Sequence, residues 1–219
     1  IYNSVLKDKS YRYSCLNFCI LKDMEEALTE EPHEKYVHDY VFAPIGAWHT
    51  MFNPATKGYT ANVAPTERDN FMRKQLLKGY VHDEIAAYSG GVQGNAGLFS
   101  TASDIAKLCQ TWLNEGFYGD VSVFSASTVE LFTTETSGEA DRGLGFDRAS
   151  RVKGLKDVEL PQSVYGHTGF TGTCFWVDPE NDIIVVFLCN RIYPSRDNAS
   201  FRKYIPRTEI MRAVYDSLK

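Results

Sequence analysis

The strongest hydrophobic signal lies in the last third of the chain. Thr171 to Val177 is an apolar run rich in β-branched and aromatic residues, and Ile183 to Cys189 is a second, almost wholly apolar one. Asp178-Pro-Glu-Asn-Asp182 between them reads as a turn, so the pattern predicts two consecutive strands. Strands this apolar belong in the middle of a sheet covered on both faces. His167-Thr168-Gly169 then sits at the lip of the central strand, where Gly169 lets backbone approach a ligand closely.

Upstream the period changes from two to about 3.6. Ser14 can cap a helix from Cys15 to about Leu28, with Leu16, Cys19, Ile20, Met24 and Leu28 along one face. His33 to about Phe42 reads as a second helix ended by Pro44 and Gly46, and Trp48 to about Thr66 is irregular. Glu67–Leu77 and Val81–Tyr88 are expected to be helical. Gly90-Gly-Val-Gln-Gly-Asn-Ala-Gly97 is too glycine-rich for helix or strand. Thr101 or Ser103 opens an amphipathic helix from Asp104 to about Asn114, Ser125 caps another to about Thr133, and a last helix runs from about Arg207 to Leu218. Arg142 to Phe146 is a strand entrance. Helices come first and strands late, which predicts an α+β fold. A mostly helical part at about 12–140 thus precedes C-terminal strands and a helix at about 141–219, in one domain or a domain of two lobes.

With 219 residues and 43% hydrophobic content, the chain can bury a sizeable core. The net charge of −5, without any Lys/Arg cluster, argues against nucleic-acid binding. No apolar run reaches the length of a membrane span. Ile1 starts without a methionine or signal pattern, so the sequence reads as a piece of something longer. Five cysteines within apolar patterns (Cys15, Cys19, Cys109, Cys174 and Cys189) are expected to be free thiols.

Several short patterns could carry chemistry. His33-Glu34 with His38 is similar to a zinc-protease helix, but the i,i+5 spacing turns the second histidine about 140° from the first, so a solvated face is expected. His82-Asp83-Glu84 lacks a nearby partner and is expected to position a loop. The glycines at 91, 94 and 97 follow a helix and are not a dinucleotide fingerprint, although Gln93 and Asn95 could either face a cleft or hold the loop. Ser4-Val-Leu-Lys7 has a nucleophile–base spacing, but only three residues precede it to build and bury a helix. Tyr13, just before a helix cap, could present its hydroxyl where the helix dipole favours a phenolate, or could staple the helix entry.

Taken in order, several segments resemble one family. They are Tyr13-Ser14-Cys15 with Leu-Asn-Phe, Ala64-Pro-Thr-Glu67, Gly79-Tyr-Val-His-Asp-Glu84, Gly90 to Thr101, and Gly166-His-Thr-Gly-Phe-Thr-Gly172. The sequence resembles the serine β-lactamase-related hydrolases: class C β-lactamases, penicillin-binding DD-peptidases and related esterases. It is most similar to the branch often fused behind a family 3 glycoside hydrolase.

The resemblance implies an antiparallel sheet flanked by helices and a serine acyl-enzyme mechanism without cofactor or metal. Tyr13 matches the tyrosine of the Tyr-x-Asn motif that moves protons at the nucleophile. Cys15 stands where the family has Asn or Asp, which removes a side-chain hydrogen-bonding group. His167-Thr168-Gly169 matches Lys-Thr-Gly, with histidine for lysine, so a substrate carboxylate would be held less firmly. The backbone N–H of Phe170 falls at an oxyanion-hole donor. Gln93 and Asn95, with Thr168 and Gly169, would line the substrate groove.

The family's Ser-x-x-Lys segment belongs well upstream of the tyrosine. The chain is therefore expected to be the C-terminal part of such a hydrolase, inactive alone, with the N-terminal segment of the same protein as its partner. The resemblance further implies a small or peptidoglycan-like acyl substrate and an extracytoplasmic location. An uncovered sheet edge suggests a homo-oligomer. Two alternatives are weighed against the enzyme. One is a catalytically silent ligand-binding or docking module beside a glycoside hydrolase; the other is a metal-dependent hydrolase using His82, Asp83 and His167.

Overall fold

The structure, a computed structural model, describes residues 11–134, 142–148, 150 and 158–218. Ser4 and Lys7 lie outside them. Helix α1 (Leu16–Thr29) begins one residue later than the pattern predicts, with Cys15 as its N-cap; Ser14 Oγ accepts the Leu16 N–H at 3.2 Å from just outside it. Its apolar stripe is not uniformly covered, because Cys19 is buried while Met24 and Leu28 are exposed. Helix α2 (His33–Val37) continues as a π-helical turn, His38–Phe42. His33 differs from the solvated position expected of it: its ring packs edge-on against Phe52 at 5.8 Å and bonds Glu25.

Strand β1 (Met51–Phe52) is followed by the 3-10 turn Pro54–Lys57. Glu67–Leu77 departs most from its expected structure. It is no helix but most of a hairpin, β2 (Pro65–Asp69) paired antiparallel with β3 (Gln75–Lys78). Asp69 explains why. Its carboxylate accepts the N–H groups of Phe71, Met72 and Arg73 at 2.8, 2.9 and 3.0 Å, closing the turn, and it also takes Arg73 Nε at 2.8 Å. Arg73 then donates to the carbonyls of Val81 and His82, tying the hairpin to the next segment. Local carboxylate capping of this kind outcompetes a helix.

Burial by itself would raise the Asp69 pKa, but the Arg73 bond and the three N–H groups overcome it and hold the carboxyl well below the usual range. A group depressed in this way stabilises the fold above its unfolded pKa of about 3.9, and that contribution is lost as pH falls through the lower folded value. Asp69→Asn should therefore cost about 2 kcal/mol at pH 7. Urea titrations at pH 7 and at about pH 3 should find the gap to the parent protein narrower at the lower pH.

Only the end of Val81–Tyr88 is helical, as α3 (Glu84–Tyr88) capped by Asp83 Oδ1, which accepts Ala86 N–H at 2.9 Å. Strand β4 (Leu98–Phe99) pairs with β1. Helix α4 (Ala102–Leu113) is capped by Thr101, and the small hairpin β5 (Phe117–Tyr118) with β6 (Val121–Ser122) follows. Helix α5 (Ala126–Thr133) is capped by Ser125 as expected.

Strand β7 (Asp147–Arg148) opens the main sheet, which runs β10-β9-β8-β7 and is antiparallel throughout. Strand β8 (Tyr165–Thr168) is a strand of its own, so His167 and Thr168 lie within the sheet and only Gly169 begins the turn. Strands β9 (Cys174–Asp178) and β10 (Ile183–Phe187) are the two apolar runs. Helix α6 (Ser200–Tyr204) and helix α7 (Pro206–Asp216) complete the described fold.

The alternation along β9 divides the core. Cys174 and Trp176 face a cluster with Val164, Val185, Met211 and Tyr215, so α7 covers that side. Phe175 and Val177 face Cys109, Ile105 and Trp112 of α4 on the other. Both faces are covered as expected, although among the described residues β10 is an edge. All five cysteines are free thiols. No described helix is long and apolar enough to cross a membrane.

Candidate active site

The entrance to α1, the segment from Arg142 to Asp147, and β8 meet at one place. Tyr13 is 55% exposed, and the Arg142 guanidinium lies 5.2 Å from its ring centroid. Arg142 Nη2 reaches Asp147 Oδ1 at 2.6 Å, and Asp147 Oδ2 lies 3.9 Å from His167 Nε2. Pairing of Asp147 with Gly166 in neighbouring strands sets that last distance. Tyr13 and His167 are thus joined through two charged residues that sequence reasoning missed. Their signal was faint, a lone Arg and a lone Asp flanking Gly-Leu-Gly-Phe.

Proton positions follow from the partners. His167 Nδ1 lies 2.9 Å from the Thr168 carbonyl, which can only accept, so Nδ1 carries the hydrogen. In the neutral ring Nε2 then bears the lone pair, on the side of Asp147. Of the roles open to Tyr13, a standing phenolate is not the one the structure favours. Its pKa is raised, first by partial burial and then by Cys15, with Asp147 adding to this and Arg142 opposing it. The phenol is held protonated. Cys15 is the N-cap residue of α1, half-buried, and makes no side-chain capping bond.

The β8–β9 turn carries the second set of groups. Gly169 N–H donates to Thr173 O at 2.8 Å and Gly172 N–H to Gly169 O at 3.1 Å. Phe170 N–H makes no backbone hydrogen bond among the described residues. The Phe170 ring is 57% exposed, yet it is held on two sides. His82 stacks on it at 5.0 Å, and the Arg191 guanidinium lies 4.5 Å away.

His82 lies beside Glu67, 3.3 Å from Nε2, and its pKa is lowered chiefly by burial, against the opposing pull of Glu67. Glu67 is buried and pairs with Arg196 at 2.7 Å, and Arg196 also reaches Glu84 at 3.0 Å. His82-Asp83-Glu84 thus positions its surroundings: one residue supports Phe170, one caps α3, and one anchors Arg196. Among the described residues no group of His, Cys, Asp and Glu side chains could hold a metal ion.

The glycine loop turns its amides inward. Gln93 is buried and corrects the expectation that it faces a cleft: Nε2 donates to Ser89 Oγ at 3.3 Å, and Oε1 accepts Gly94 N–H at 2.8 Å. Asn95 donates to Asp83 Oδ1 at 3.3 Å, while its Oδ1 lies 3.6 Å from Cys19 Sγ. A Cβ on Gly94 would stand 2.2 Å from Phe18 O, so this glycine lets the loop lie directly on α1.

The beta-lactamase family model matches residues 6–206. A protein of Escherichia coli (strain K12), provisionally named a D-alanyl-D-alanine carboxypeptidase, is 42% identical over 194 residues, covering 82% of this chain and 44% of the relative. This chain therefore spans less than half the length of that relative. The octameric penicillin-binding protein homologue from Pyrococcus abyssi superimposes with TM-score 0.60 at 18% identity, over 90% of this chain and 42% of its own. Simvastatin synthase from Aspergillus terreus gives TM-score 0.60 at 18% identity, over 90% and 53%. These two show the likeness of fold, and the motif order, the α+β architecture and the family match agree. The chain belongs to the beta-lactamase family.

Proposed function

We propose that this chain supplies the proton-relay and oxyanion wall of a serine hydrolase of the β-lactamase, DD-peptidase and esterase type. The observation that carries the reading is the convergence of Tyr13, Arg142, Asp147 and His167, with the Phe170 N–H on the turn following His167. In the family the nucleophilic serine and its lysine stand well upstream of the tyrosine motif, and this wall acts together with that segment.

In the reaction the serine oxygen adds to an acyl carbonyl. The resulting oxyanion accepts the Phe170 N–H, where such a donor is worth about 3–4 kcal/mol. The phenol of Tyr13 is protonated and therefore passes its proton toward the leaving group while the serine proton replaces it. Water then cleaves the acyl-enzyme. His167, Thr168 and Gly169 line the groove, and the fixed Nδ1–H of His167 leaves the Nε2 lone pair to accept from a substrate donor. Cys15, lacking an amide or carboxylate, leaves one substrate contact of the family unmade, and Asn95 contributes through the loop it holds. The substrate is a small or peptidoglycan-derived acyl compound, and the names of the relatives favour a D-alanyl peptide. The place of action is the cell envelope. The unpaired β10 edge favours assembly with another segment or another copy.

Cys15 at the Asn/Asp position also favours a second reading, a catalytically silent module that binds a cell-wall-like ligand beside a glycoside hydrolase. One experiment separates them. In the whole protein, a fluorophosphonate or fluorescent penicillin should label a single serine, and mutation of that serine should abolish labelling. An unlabelled whole protein that still binds peptidoglycan fragments would establish the silent module instead.

A further inference from the structure

We infer that Arg207, in the first turn of α7, is a positioning residue for the oxyanion donor, acting through the Gly169–Phe170 peptide unit. The inference rests on the acyl-transfer reading above. Its basis is the fate of the carbonyls in the β8–β9 turn. Arg207 Nη2 donates to Gly169 O at 2.5 Å and to Thr173 O at 2.8 Å, and Nε donates to Gly172 O at 2.8 Å. Arg191 takes the other two: Nε donates to Phe170 O at 2.7 Å and its backbone N–H to Thr171 O at 2.8 Å. Every carbonyl from Gly169 to Thr173 therefore accepts from one of two arginines.

The peptide plane makes this consequential. Gly169 C=O and Phe170 N–H belong to one trans unit and point in opposite directions. Holding the oxygen against a guanidinium fixes the N–H on the other side of the plane. A cation at the oxygen end also draws charge along the amide and strengthens the N–H as a donor, as linked hydrogen bonds polarise one another by about 10–30%.

The guanidinium spreads its donors over a rigid plane that spans three carbonyls, whereas an ammonium offers them from a single mobile nitrogen, so lysine is not an equivalent. The Phe201 ring, 5.2 Å from the Arg207 guanidinium, supports it from outside the turn. Arg207 is half-buried and directs Nε and Nη2 to this backbone, so its role is orientation rather than substrate binding.

The test uses the whole protein, with Arg207→Lys as the variant. Turnover of a chromogenic ester should fall about 10- to 100-fold, less than deletion of an oxyanion donor, with KM within about twofold. The Phe170 amide proton, read by NMR after selective labelling with nitrogen-15 phenylalanine, should move upfield. Unchanged turnover, or an unmoved amide proton, overturns the inference.

Should Arg207→Lys not fold, the unmutated protein still decides. Couplings across the hydrogen bond between the Arg207 guanidinium and the Gly169 carbonyl support the clamp, and their absence overturns it. If the parent protein neither labels nor turns over ester, the acyl-transfer reading fails. The shift of the Phe170 amide then decides the role of Arg207 by itself.

Discussion

Tyr13→Phe in the whole protein should slow acylation of its serine by about 10²- to 10⁴-fold, the range over which a positioned proton donor acts. Folding should be nearly untouched. The ring is more than half exposed and the substitution keeps it, so the Arg142 cation stays over an aromatic face. The loss should appear in turnover rather than in KM, because the hydroxyl acts on the proton in flight and not on the bound ground state.

The pH–rate profile carries separate information. Because Tyr13 is held as a neutral phenol, chiefly by burial, its own ionisation lies above the ordinary tyrosine range and should not shape activity near neutrality. Stopped-flow labelling with a fluorophosphonate from pH 6 to 9 checks both points. A Tyr13→Phe variant that labels at the parental rate would remove Tyr13 from the relay.

Much of the sheet was legible because its signal is local. Residues 174–178 and 183–187 are so uniformly apolar that only a strand covered on both faces accommodates them, and α4 and α7 provide that cover. The cap at Ser125 was equally plain, and Thr101 was one of two candidates with Ser103, since a hydroxyl three residues before a free N–H acts without any tertiary partner.

The β2–β3 hairpin was not legible. Phe71, Met72, Leu76 and Leu77 have helical spacing, and the Asp69 carboxylate overrides it by capping the turn, which leaves no periodic mark. The buried Glu67 of β2 adds a partner, Arg196, from a remote loop. The site divides in the same way. Tyr13, His167 and Phe170 were recognisable by motif, whereas Asp147 and Arg142 acquire meaning only when strand pairing brings Asp147 opposite Gly166. Gln93 shows the converse, a residue with the right chemistry in a loop that turns its amide inward. Arg207 carries no motif at all, and its importance lies in backbone oxygens, which a sequence does not distinguish.

Trp176→Ala should produce a large loss of stability, about 3–5 kcal/mol, as expected for emptying a fully enclosed aromatic site. Trp176 is 1% exposed at the centre of β9, packed among Val164, Val185, Met211 and Tyr215. In a chain of this length the loss corresponds to a fall in thermal midpoint on the order of 10 °C, readable by calorimetry. The indole also covers Gly166, its cross-strand partner, where an added Cβ would stand 2.6 Å from Cε3.

Gly166→Ala should therefore be as damaging as the loss of the tryptophan, and the combination tells why. If only the ring excluded the methyl group, removing Trp176 would make room and the double variant would be no worse than Trp176→Ala. But the same Cβ would stand 2.1 Å from the Phe175 carbonyl oxygen, which is backbone and cannot be trimmed. The double variant should accordingly be less stable than either single one. Rescue instead would mean that β8 can shift away from β9. His167 could then not keep its place beside Asp147, and the acyl-transfer wall would depend on the indole for its geometry as well as for its stability.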